Sequence, residues 1–472
     1  MYRKATVKNF EAAERRELVL KAAVQQGLLN PERALVAAFL DLDALKMNVT
    51  ALNEAFASPA KVLHAFAAKA SCLVPVLAEL SKLGMGCEVA SEGELAQALA
   101  AGFPPERIIF DSPAKTRPEL RQALALGIAV NADNFQELER IAELISARPS
   151  KSIIGIRINP QVGLGGIEAM STAGATSKFG IALKDEGSRE RLLEAYQNFP
   201  WLTRMHAHVG SQGCSLELIA EGISRVVEFA DEVNSRSGRQ QVTGIDIGGG
   251  LPVDFDSDIL ESTFSAYVDE LKKAVPNLLD GRYEIVTEFG RSILAKFGFI
   301  AAYVEYTKSS GGRQIAVTHA GAQVATRTVF MPDAWPIRIG AHDHSGRMKH
   351  DDPVRQDLAG PCCFAGDLIA QNRLMPPLGQ GDIITLLDTG AYYFSTPFNY
   401  NSLLEPGVYG ATISSGGIVQ FITLRRPQTI SDLLERSGAN ELSLPSTTPT
   451  SLTQDGVGDR IAEQVPAAAA AC

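Results

Sequence analysis

Cysteine and long apolar runs are both scarce in this sequence. Its 472 residues include six cysteines, and none of them forms a C-x-x-C pair. The cysteines show no framework of a small disulfide-bonded secreted scaffold. No apolar run reaches the about 20 residues that a membrane-spanning helix needs. Residues 1–20 mix charged with apolar side chains, unlike a signal peptide. We therefore expect reduced thiols and a cytoplasmic location.

Basic residues are outnumbered by acidic ones. The chain has 44 Lys and Arg against 54 Asp and Glu, which gives a formal net charge of −10 and a pI of about 5.4. Nucleic acids and anionic membranes attract basic surfaces, so we expect neither as a partner. A small-molecule substrate is the expectation instead. The length and the hydrophobic fraction of 45% are typical of one large globular domain with a smaller one.

Short β-prone segments alternate with amphipathic helical patterns between about residues 62 and 300. This alternation is typical of βα units around a parallel sheet, and eight repeats predict an α/β fold of the (β/α)8 TIM-like barrel type. Ser91 with Glu94, and Thr116 with Glu119, have the spacing of capping boxes at helix N-termini. The predicted strands are 62–69, 86–89, 107–110, 128–131, 153–158, 204–209, 243–247 and 283–288.

The pattern changes after residue 300, where β-prone segments follow one another with Gly-rich or polar turns between them. This arrangement predicts a second, antiparallel β-barrel domain. The last forty or so residues have the composition of a disordered tail. The predicted organisation is an N-terminal segment at 1–35 packed on the β domain, the barrel at 36–300, the β domain at 301–428 and the tail at 429–472.

Unusual polar residues fall at the predicted C-terminal strand ends, where barrel enzymes carry their active sites. A single strand-end lysine is more often a solvated rim residue, and a single histidine is more often a hydrogen-bonded core residue. A collection at one end of the barrel favours an active site instead. Its members are Lys69, Glu88, Arg157, His208, the triple glycine Gly248–Gly249–Gly250 and Glu288.

The triple glycine and the following EFGR segment (288–291) predict a phosphate site, because barrels often bind phosphate with the loops after strands seven and eight. A lysine beside such a site suits a Schiff base with a carbonyl cofactor, and desolvation would lower the pKa of its amine. If the cofactor is pyridoxal phosphate, Glu288 is placed to pair with the ring nitrogen. His208 is the candidate for stacking on the ring, and His206 is expected to point the other way.

These segments resemble the fold type III pyridoxal-phosphate decarboxylases, which include the diaminopimelate, ornithine and arginine decarboxylases. The similarity runs in consistent order from about residue 35 to 410 and is strongest to the diaminopimelate branch. It implies an alanine racemase-like architecture with a (β/α)8 barrel and a second β-barrel domain. The matching segments are FAAKAS, EVASEGELAQALAAGFPPERIIF, SKFGI, HAHVGSQ, DIGGGLP, EFGR, GPCCFAGD and GAYYFSTPFNYNS.

The resemblance assigns roles to individual residues. It implies that Lys69 binds pyridoxal 5'-phosphate covalently, that His208 stacks on its ring and that Glu288 pairs with its nitrogen. It also implies a homodimer with shared active sites, in which Cys363 comes from the partner subunit and protonates the product with help from Lys69. The other cofactor residues are Arg157 at the ring, and Ser211, Gly248, Gly249, Gly250, Gly290, Arg291 and Tyr392 at the phosphate.

The activity implied is the α-decarboxylation of an amino acid, but the substrate-binding residues depart from the family pattern. Phe364 stands where relatives that act on diamino substrates have an acidic residue, and burying an unpaired ammonium there would cost several kcal/mol. Arg327 retains the arginine of the family's RPxLY segment, so a distal carboxylate or another anion is still expected to bind. Tyr392 is a further candidate for substrate contact. We therefore predict altered side-chain specificity.

Two other functions are compatible with the sequence. One is a non-catalytic regulatory homologue that binds the cofactor, and the other is an amino-acid racemase of the same fold. The histidine-rich segment 341–352, with His342, His344 and His350, could suggest a metal site. Its spacing lacks a convincing ligand geometry, so we expect a polar loop near the site entrance and no metal.

Overall fold

The computed structural model describes residues 11–259 and 262–439. The chain divides into two compact units, Met1–Gln428 and Thr429–Cys472. The first unit contains two sheets of nine strands each. No helix of the described residues is long and apolar enough to cross a membrane.

The chain enters the second sheet before it forms the barrel. Helix α1 (Ala12–Gln25) buries Val19, Leu20 and Ala23 in a cluster with aromatic residues of that sheet. Strand β1 (Val36–Asp41) then pairs with segments that begin at residues 298 and 407. The predicted barrel start at residue 36 is therefore wrong for this strand. Its partners lie far along the chain, and no local pattern marks them.

Eight parallel strands close into the predicted barrel. They are β2 Val62–Ala67, β3 Gly86–Val89, β4 Ile108–Asp111, β5 Ala129–Ala132, β6 Ile154–Asn159, β8 Leu202–His206, β9 Gly244–Asp246 and β10 Glu284–Thr287, while the short β7 Ile181–Ala182 pairs with β6 outside the ring. β10 pairs with β2, and β5 pairs with β6, which completes the ring. The carboxyl ends of all eight strands therefore meet at one mouth.

Helices alternate with these strands, and local signals begin and end them. Thr116 and Glu119 form a complete capping box, and Gly127 ends that helix with a φ of 79°. Ser91 caps its helix by accepting from the Glu94 N–H, but the Glu94 carboxylate accepts from Ala90 instead of closing the box. The helices are α2 Leu42–Ala55, α3 Val74–Lys82, α4 Glu92–Ala100, α5 Arg117–Leu126, α6 Phe135–Ala147, α7 Ser188–Asn198, α8 Leu216–Ser237, α9 Phe264–Ala274 and α10 Arg291–Leu294.

Three predicted strand-end residues lie just beyond their strands. Lys69 belongs to a 3₁₀ turn, Ala68–Ala70, that follows β2. His208 comes two residues after the end of β8, and Glu288 comes directly after β10. The backbone leaves the sheet at these points, so the side chains are carried by the first residues of the loops at the barrel mouth.

The second sheet is mixed rather than wholly antiparallel. Its other elements are β11 Gly298–Ser310, β12 Arg313–Thr318, α11 Ala322–Phe330, β13 Ile339–His342, β14 Val354–Ala359, β15 Leu368–Met375, β16 Ile383–Leu386, β17 Gly407–Ile413 and β18 Val419–Arg425. β1 pairs in parallel with β17, and β12 pairs in parallel with β14, while the remaining pairs are antiparallel. Both parallel pairs join strands distant in sequence, which a local pattern does not show.

The second unit begins with a short helix, α12 (Ile430–Arg436). Thr429 and Asp432 form a complete capping box at its start, which stabilises the first turn. The prediction of a disordered tail is therefore wrong for these residues. Residues 440–472, to which the same prediction applied, lie outside the described residues.

Candidate active site

Lys69 projects from the turn after β2 toward a carboxylate on the neighbouring strand. Its Nζ donates a hydrogen bond to Glu88 Oε2 at 2.6 Å. The Glu88 side chain is 1% exposed, whereas the lysine side chain is 47% exposed and so accessible to an incoming molecule. The β2–β3 register, which pairs Ala67 with Glu88, brings the two side chains together.

The charge state of Lys69 differs from the prediction. Desolvation favours the neutral amine, but Glu88, Tyr392 and Glu288 together outweigh it and raise the pKa of Lys69 above its ordinary value. The predicted lowering of this pKa is therefore wrong. Burial also raises the pKa of Glu88, although Lys69 opposes that shift. Glu88 is thus the nearby acceptor for the proton that the amine must lose before it can attack a carbonyl.

Four buried side chains form a row in the barrel interior. Arg157 Nη1 lies 3.7 Å from Asp111 Oδ2, and His206 Nδ1 lies 3.2 Å from the same oxygen. His206 Nε2 lies 3.4 Å from Glu288 Oε2. The Glu288 atom Oε1 has no hydrogen-bond partner, so this buried carboxylate can still accept a proton donor from a ligand.

His206 lies on the active-site side of the barrel, and the prediction that it points the other way is wrong. Its side chain is fully buried and points into the barrel toward Glu288 instead of away from the site. Residues two apart along a strand share a face, so the H-x-H spacing of His206 and His208 was the signal that could have found it. Asp111, the last residue of β4, was missed because no motif marks it.

His208 is fixed against the glycine turn. Its Nδ1 accepts a hydrogen bond from the Gly249 N–H at 3.1 Å, and its backbone carbonyl accepts one from Thr172. Burial, followed by the charges of Arg157 and Lys69, lowers the pKa of His208 well below its ordinary value. The ring is therefore neutral near pH 7, and its flat face is held in one orientation.

The triple glycine brings three loops into backbone contact. Gly248 and Gly250 have positive φ values of 64° and 108°. A Cβ on Gly249 would overlap the carbonyl oxygen of Glu288, and one on Gly250 would overlap that of Gly210. Side chains are excluded here, so backbone N–H groups can approach an anion closely.

Two further predicted phosphate residues flank this turn. The backbone N–H of Ser211 donates to Met170. At Gly290 a Cβ would lie 2.9 Å from Ala70 Cβ and 3.4 Å from Tyr392 Oη. The loop that carries Lys69 therefore touches the loop after β10. Together, the lysine, the buried carboxylate of Glu288 and the glycine turn fit a phosphorylated carbonyl cofactor.

Two arginines share a pair of aromatic rings. The guanidinium carbon of Arg291 lies 4.7 Å from the ring centroids of both Trp335 and Tyr392. The corresponding distances for Arg327 are 5.0 Å and 4.6 Å. Neither arginine forms an ion pair with a carboxylate of the described residues, and Arg291 Nε and Arg327 Nη1 are buried without a hydrogen-bond partner. Burial lowers the pKa of Arg291 to about 10.

A cavity of about 1000 Å³ borders this region. The loop 164–179 lines one side, and residues 331, 333 and 334 line the other. Phe179 faces this cavity, and its ring centroid lies 4.4 Å from the guanidinium carbon of Arg157. The cavity therefore meets the buried row through Phe179, and its lining includes neither Lys69 nor Glu288.

The hydrogen bonds and ring contacts of Cys363 and Phe364 are made with residues other than those around Lys69. Cys363 is exposed, and its backbone N–H donates to Asn401 at 2.7 Å. The Phe364 ring stacks on Phe330 with centroids 5.6 Å apart and meets Tyr400 edge-on at 5.5 Å. None of their described hydrogen bonds or ring contacts involves Lys69, so within one chain these two predicted residues are not joined to the lysine.

The histidine-rich segment forms no cluster of metal ligands among the described residues. His342 is buried, and its Nε2 faces Thr385 Oγ1 at 3.1 Å. The group of potential ligand atoms that does lie close together is Asp111, His206 and Glu288, within 4.8 Å of one another. These atoms belong to the buried row, where Arg157 already supplies a positive charge beside Asp111.

Comparison with known proteins agrees with this geometry. Residues 42–295 match the family model for the pyridoxal-binding domain of pyridoxal-dependent decarboxylases. The diaminopimelate decarboxylase of Zymomonas mobilis is 30% identical over 380 residues, covering 80% of this chain and 86% of that protein. The diaminopimelate decarboxylase of Pseudomonas aeruginosa is 31% identical over 342 residues, which cover 72% of this chain and 79% of that protein.

Solved structures extend the similarity to both sheets. Diaminopimelate decarboxylase from Helicobacter pylori, complexed with L-lysine, is 25% identical with a TM-score of 0.76 and covers 88% of this chain and 100% of that one. A lysine/ornithine decarboxylase from Vibrio vulnificus, complexed with putrescine, shares the fold with a TM-score of 0.68 at 22% identity. The match covers 86% of this chain and 100% of that one. The chain belongs to the fold type III pyridoxal-phosphate-dependent decarboxylases, in the diaminopimelate decarboxylase-like branch, and is a carboxy-lyase that uses pyridoxal 5'-phosphate.

Proposed function

We propose that this decarboxylase acts on an α-amino acid whose side chain ends in an anionic group and carries no second ammonium group. The observation that carries the proposal is the pair Arg291 and Arg327, held between Trp335 and Tyr392 without a protein carboxylate among the described residues. A buried cation without a counter-ion costs several kcal/mol, and a substrate carboxylate would supply the missing charge. In this proposal Arg291, which was predicted to bind the cofactor phosphate, instead binds the anionic end of the substrate side chain.

Phe364 supports the proposal that the substrate side chain carries no second ammonium group. Its ring packs on Phe330 and Tyr400, and Phe398 completes a cluster of four aromatic rings. Such a surface offers no carboxylate to an ammonium group. A substrate with a second ammonium would therefore lose hydration at this position without gaining an ion pair.

The residues that would hold pyridoxal phosphate are Lys69, Glu288, His208 and the glycine turn. When bound, the cofactor supplies an electron sink for the electron pair left behind by the departing carboxylate. Glu88 accepts the proton that Lys69 releases, because the two side chains are already hydrogen-bonded. The neutral ring of His208 would cover one face of the bound cofactor and exclude water from it.

A shared active site follows from the position of Cys363. This exposed thiol lies in contacts apart from Lys69, so we infer that it reaches the Lys69 of a partner subunit in a homodimer and donates the proton to the product carbon. Mixing inactive Lys69→Ala with inactive Cys363→Ala protein tests this. Random reassociation should restore about a quarter of the wild-type activity, since half the dimers contain one intact site. Mixtures without restored activity would contradict the shared site, and Cys362→Ala serves as the control.

The substrate proposal is tested by the release of labelled carbon dioxide from a panel of L- and D-amino acids. The panel compares side chains ending in a carboxylate, in an ammonium, and in both, as in diaminopimelate. We expect the highest kcat/KM for the carboxylate group, and Arg327→Gln should lower it about 10- to 100-fold, as expected for losing a charge-assisted hydrogen bond. Arg225→Gln, on the exposed face of α8, is the matched control. A higher kcat/KM for lysine or diaminopimelate would refute the proposal.

A further inference from the structure

Asp367 is a buried residue that joins two segments of the chain. It ends the cysteine loop, residues 360–367 between β14 and β15, and is 3% exposed. Its Oδ1 accepts a hydrogen bond from the Ala322 N–H at 2.6 Å, and its Oδ2 accepts one from the Cys362 N–H at 2.7 Å. Ala322 is the first residue of α11, and Cys362 directly precedes Cys363. One side chain therefore connects the start of α11 to the cysteine loop.

Two glycines leave room for this carboxyl group. A Cβ on Gly321 or on Gly360 would overlap Asp367 Oδ2. Gly321 directly precedes α11, and Gly360 begins the cysteine loop, so both segments approach Asp367 without a side chain of their own in between. The backbone of Asp367 adds a second attachment, because its carbonyl accepts a hydrogen bond from the Gly360 N–H at 2.8 Å. The carboxyl group is therefore fixed by contacts with both segments.

The start of α11 is linked to Arg327 although the helix is broken between them. Ala325 has φ and ψ values of −132° and 44°, which are not helical. The hydroxyl of Thr326 donates to the Ala322 carbonyl at 2.8 Å and so spans the break. Arg327 directly follows Thr326. A displacement of Ala322 is therefore passed on to Arg327, which binds the anionic end of the substrate in the function proposed above.

The other segment carries the thiol that donates a proton in the proposed function. Successive backbone N–H groups hold it, that of Cys362 on Asp367 and that of Cys363 on Asn401 Oδ1 at 2.7 Å. The Cys362 thiol also contacts Gln323 Oε1 of α11 at 3.9 Å. A proton donor must lie within hydrogen-bond reach of the reacting carbon, so a small displacement of the cysteine loop lowers the rate.

We propose that Asp367 is a positioning residue that serves both active sites of the homodimer. Through Ala322 it positions Arg327 for the site of its own subunit, and through Cys362 it positions Cys363 for the site of the partner subunit. The proposal rests on the function proposed above, in which the two subunits share their active sites. One substitution at Asp367 therefore has two effects, and each is felt in a different site.

Heterodimers with one intact site separate these effects. The lysine subunit carries Cys363→Ala and supplies Lys69 and Arg327, whereas the thiol subunit carries Lys69→Ala and supplies Cys363. The second site of this heterodimer lacks both the lysine and the thiol, so all activity comes from the intact one. Two different affinity tags isolate the heterodimer from the parent homodimers. Asp367→Ala is then added to the thiol subunit or to the lysine subunit.

The kinetic constants are measured with the best substrate of the panel above. In the thiol subunit, Asp367→Ala should lower kcat about 10- to 100-fold and leave KM nearly unchanged, because it displaces the proton donor. In the lysine subunit it should raise KM about tenfold with little change in kcat, because it displaces Arg327 from the anionic end of the substrate. The same change of kcat and KM in both placements, or no change in either, would overturn the proposal.

The matched control is Asp357→Ala. Asp357 is also a buried carboxyl group of the β14–β15 pair, and its Oδ1 accepts a hydrogen bond from the Asn372 N–H at 2.7 Å. Its other partner is Arg313, on the neighbouring strand β12. The substitution disturbs the same part of the sheet without breaking a hydrogen bond to α11 or the cysteine loop, so both kinetic constants should stay unchanged in either placement. A loss equal to that of Asp367→Ala would show a structural role only.

A second variant keeps the test decisive if Asp367→Ala does not fold. Asp367→Asn has the same shape but a single acceptor oxygen, so one of the two N–H groups loses its partner. Either kcat in the thiol subunit or KM in the lysine subunit must then change, and the absence of both changes overturns the proposal. If the heterodimer is inactive with Asp367 intact, the shared active site of the proposed function fails, and this inference fails with it. An active heterodimer that does not respond to Asp367 overturns this inference alone.

Discussion

Replacing Gly250 with alanine should disrupt the glycine turn and weaken cofactor binding. Gly250 has a φ of 108°, which L-residues rarely adopt, and a Cβ there would overlap the carbonyl oxygen of Gly210. The obstacle is backbone rather than a flexible side chain. The loops after β8 and β9 must therefore separate to admit the methyl group.

The size of the effect comes from two separable costs. Alanine at a positive φ costs about 1–2 kcal/mol of unfolding free energy. Inserting a methyl group where packing is already complete adds about 1–3 kcal/mol. Gly102→Ala isolates the first cost, because Gly102 has a φ of 85° and nothing lies within 4 Å of its added Cβ. Gly250→Ala should therefore be about 1–3 kcal/mol less stable than Gly102→Ala.

Urea unfolding of the apoenzyme measures the two free energies, and absorbance titration with pyridoxal phosphate measures the Kd. A displacement of the turn by about 1 Å can cost about 100-fold in a positioned interaction, so Gly250→Ala should raise the Kd by about 10- to 100-fold. Gly102→Ala should leave the Kd unchanged. Equal free energies of unfolding and equal Kd values for the two variants would refute this prediction.

Two further predictions concern protonation. Burial lowers the pKa of His64 to about 4 from an ordinary value near 6.5, so the unfolded state binds more protons between these values and stability falls as the pH falls through this window. The loss from pH 7 to pH 5 is about 2 kcal/mol. Urea unfolding at both pH values should show a smaller difference in His64→Gln, and an unchanged difference would contradict the assignment. Glu88→Gln removes the largest of the charges that raise the pKa of Lys69, so the pH midpoint for covalent uptake of pyridoxal phosphate should move to lower pH. The midpoint is followed by absorbance, and a midpoint that stays in place would exclude Glu88 as the cause.

The barrel was predictable because its signals are local. Periodicity located the strands, and the capping box at Thr116 and the glycine at position 127 marked the ends of a helix where the structure has them. Residues 36–41 were placed in the barrel domain, and the strand they form in the second sheet was not predicted, because its pairing depends on residues far along the chain. The environment of Lys69 was misjudged since the sign of its pKa shift depends on a 2.6 Å distance to Glu88, which a sequence does not contain. His206 was missed through an error in assigning strand faces.

The location of β1 has a consequence for the synthesis of this protein. Ala37, Ala38, Phe39 and Leu40 are among its fully or almost fully buried residues, and both neighbours of the strand, β11 and β17, leave the ribosome only after the whole barrel. Until then the nascent chain carries an apolar strand with two open edges, a site for aggregation or chaperone binding. The family match begins at residue 42, directly after this strand. A barrel excised along that match would leave β11 and β17 without the strand that joins them.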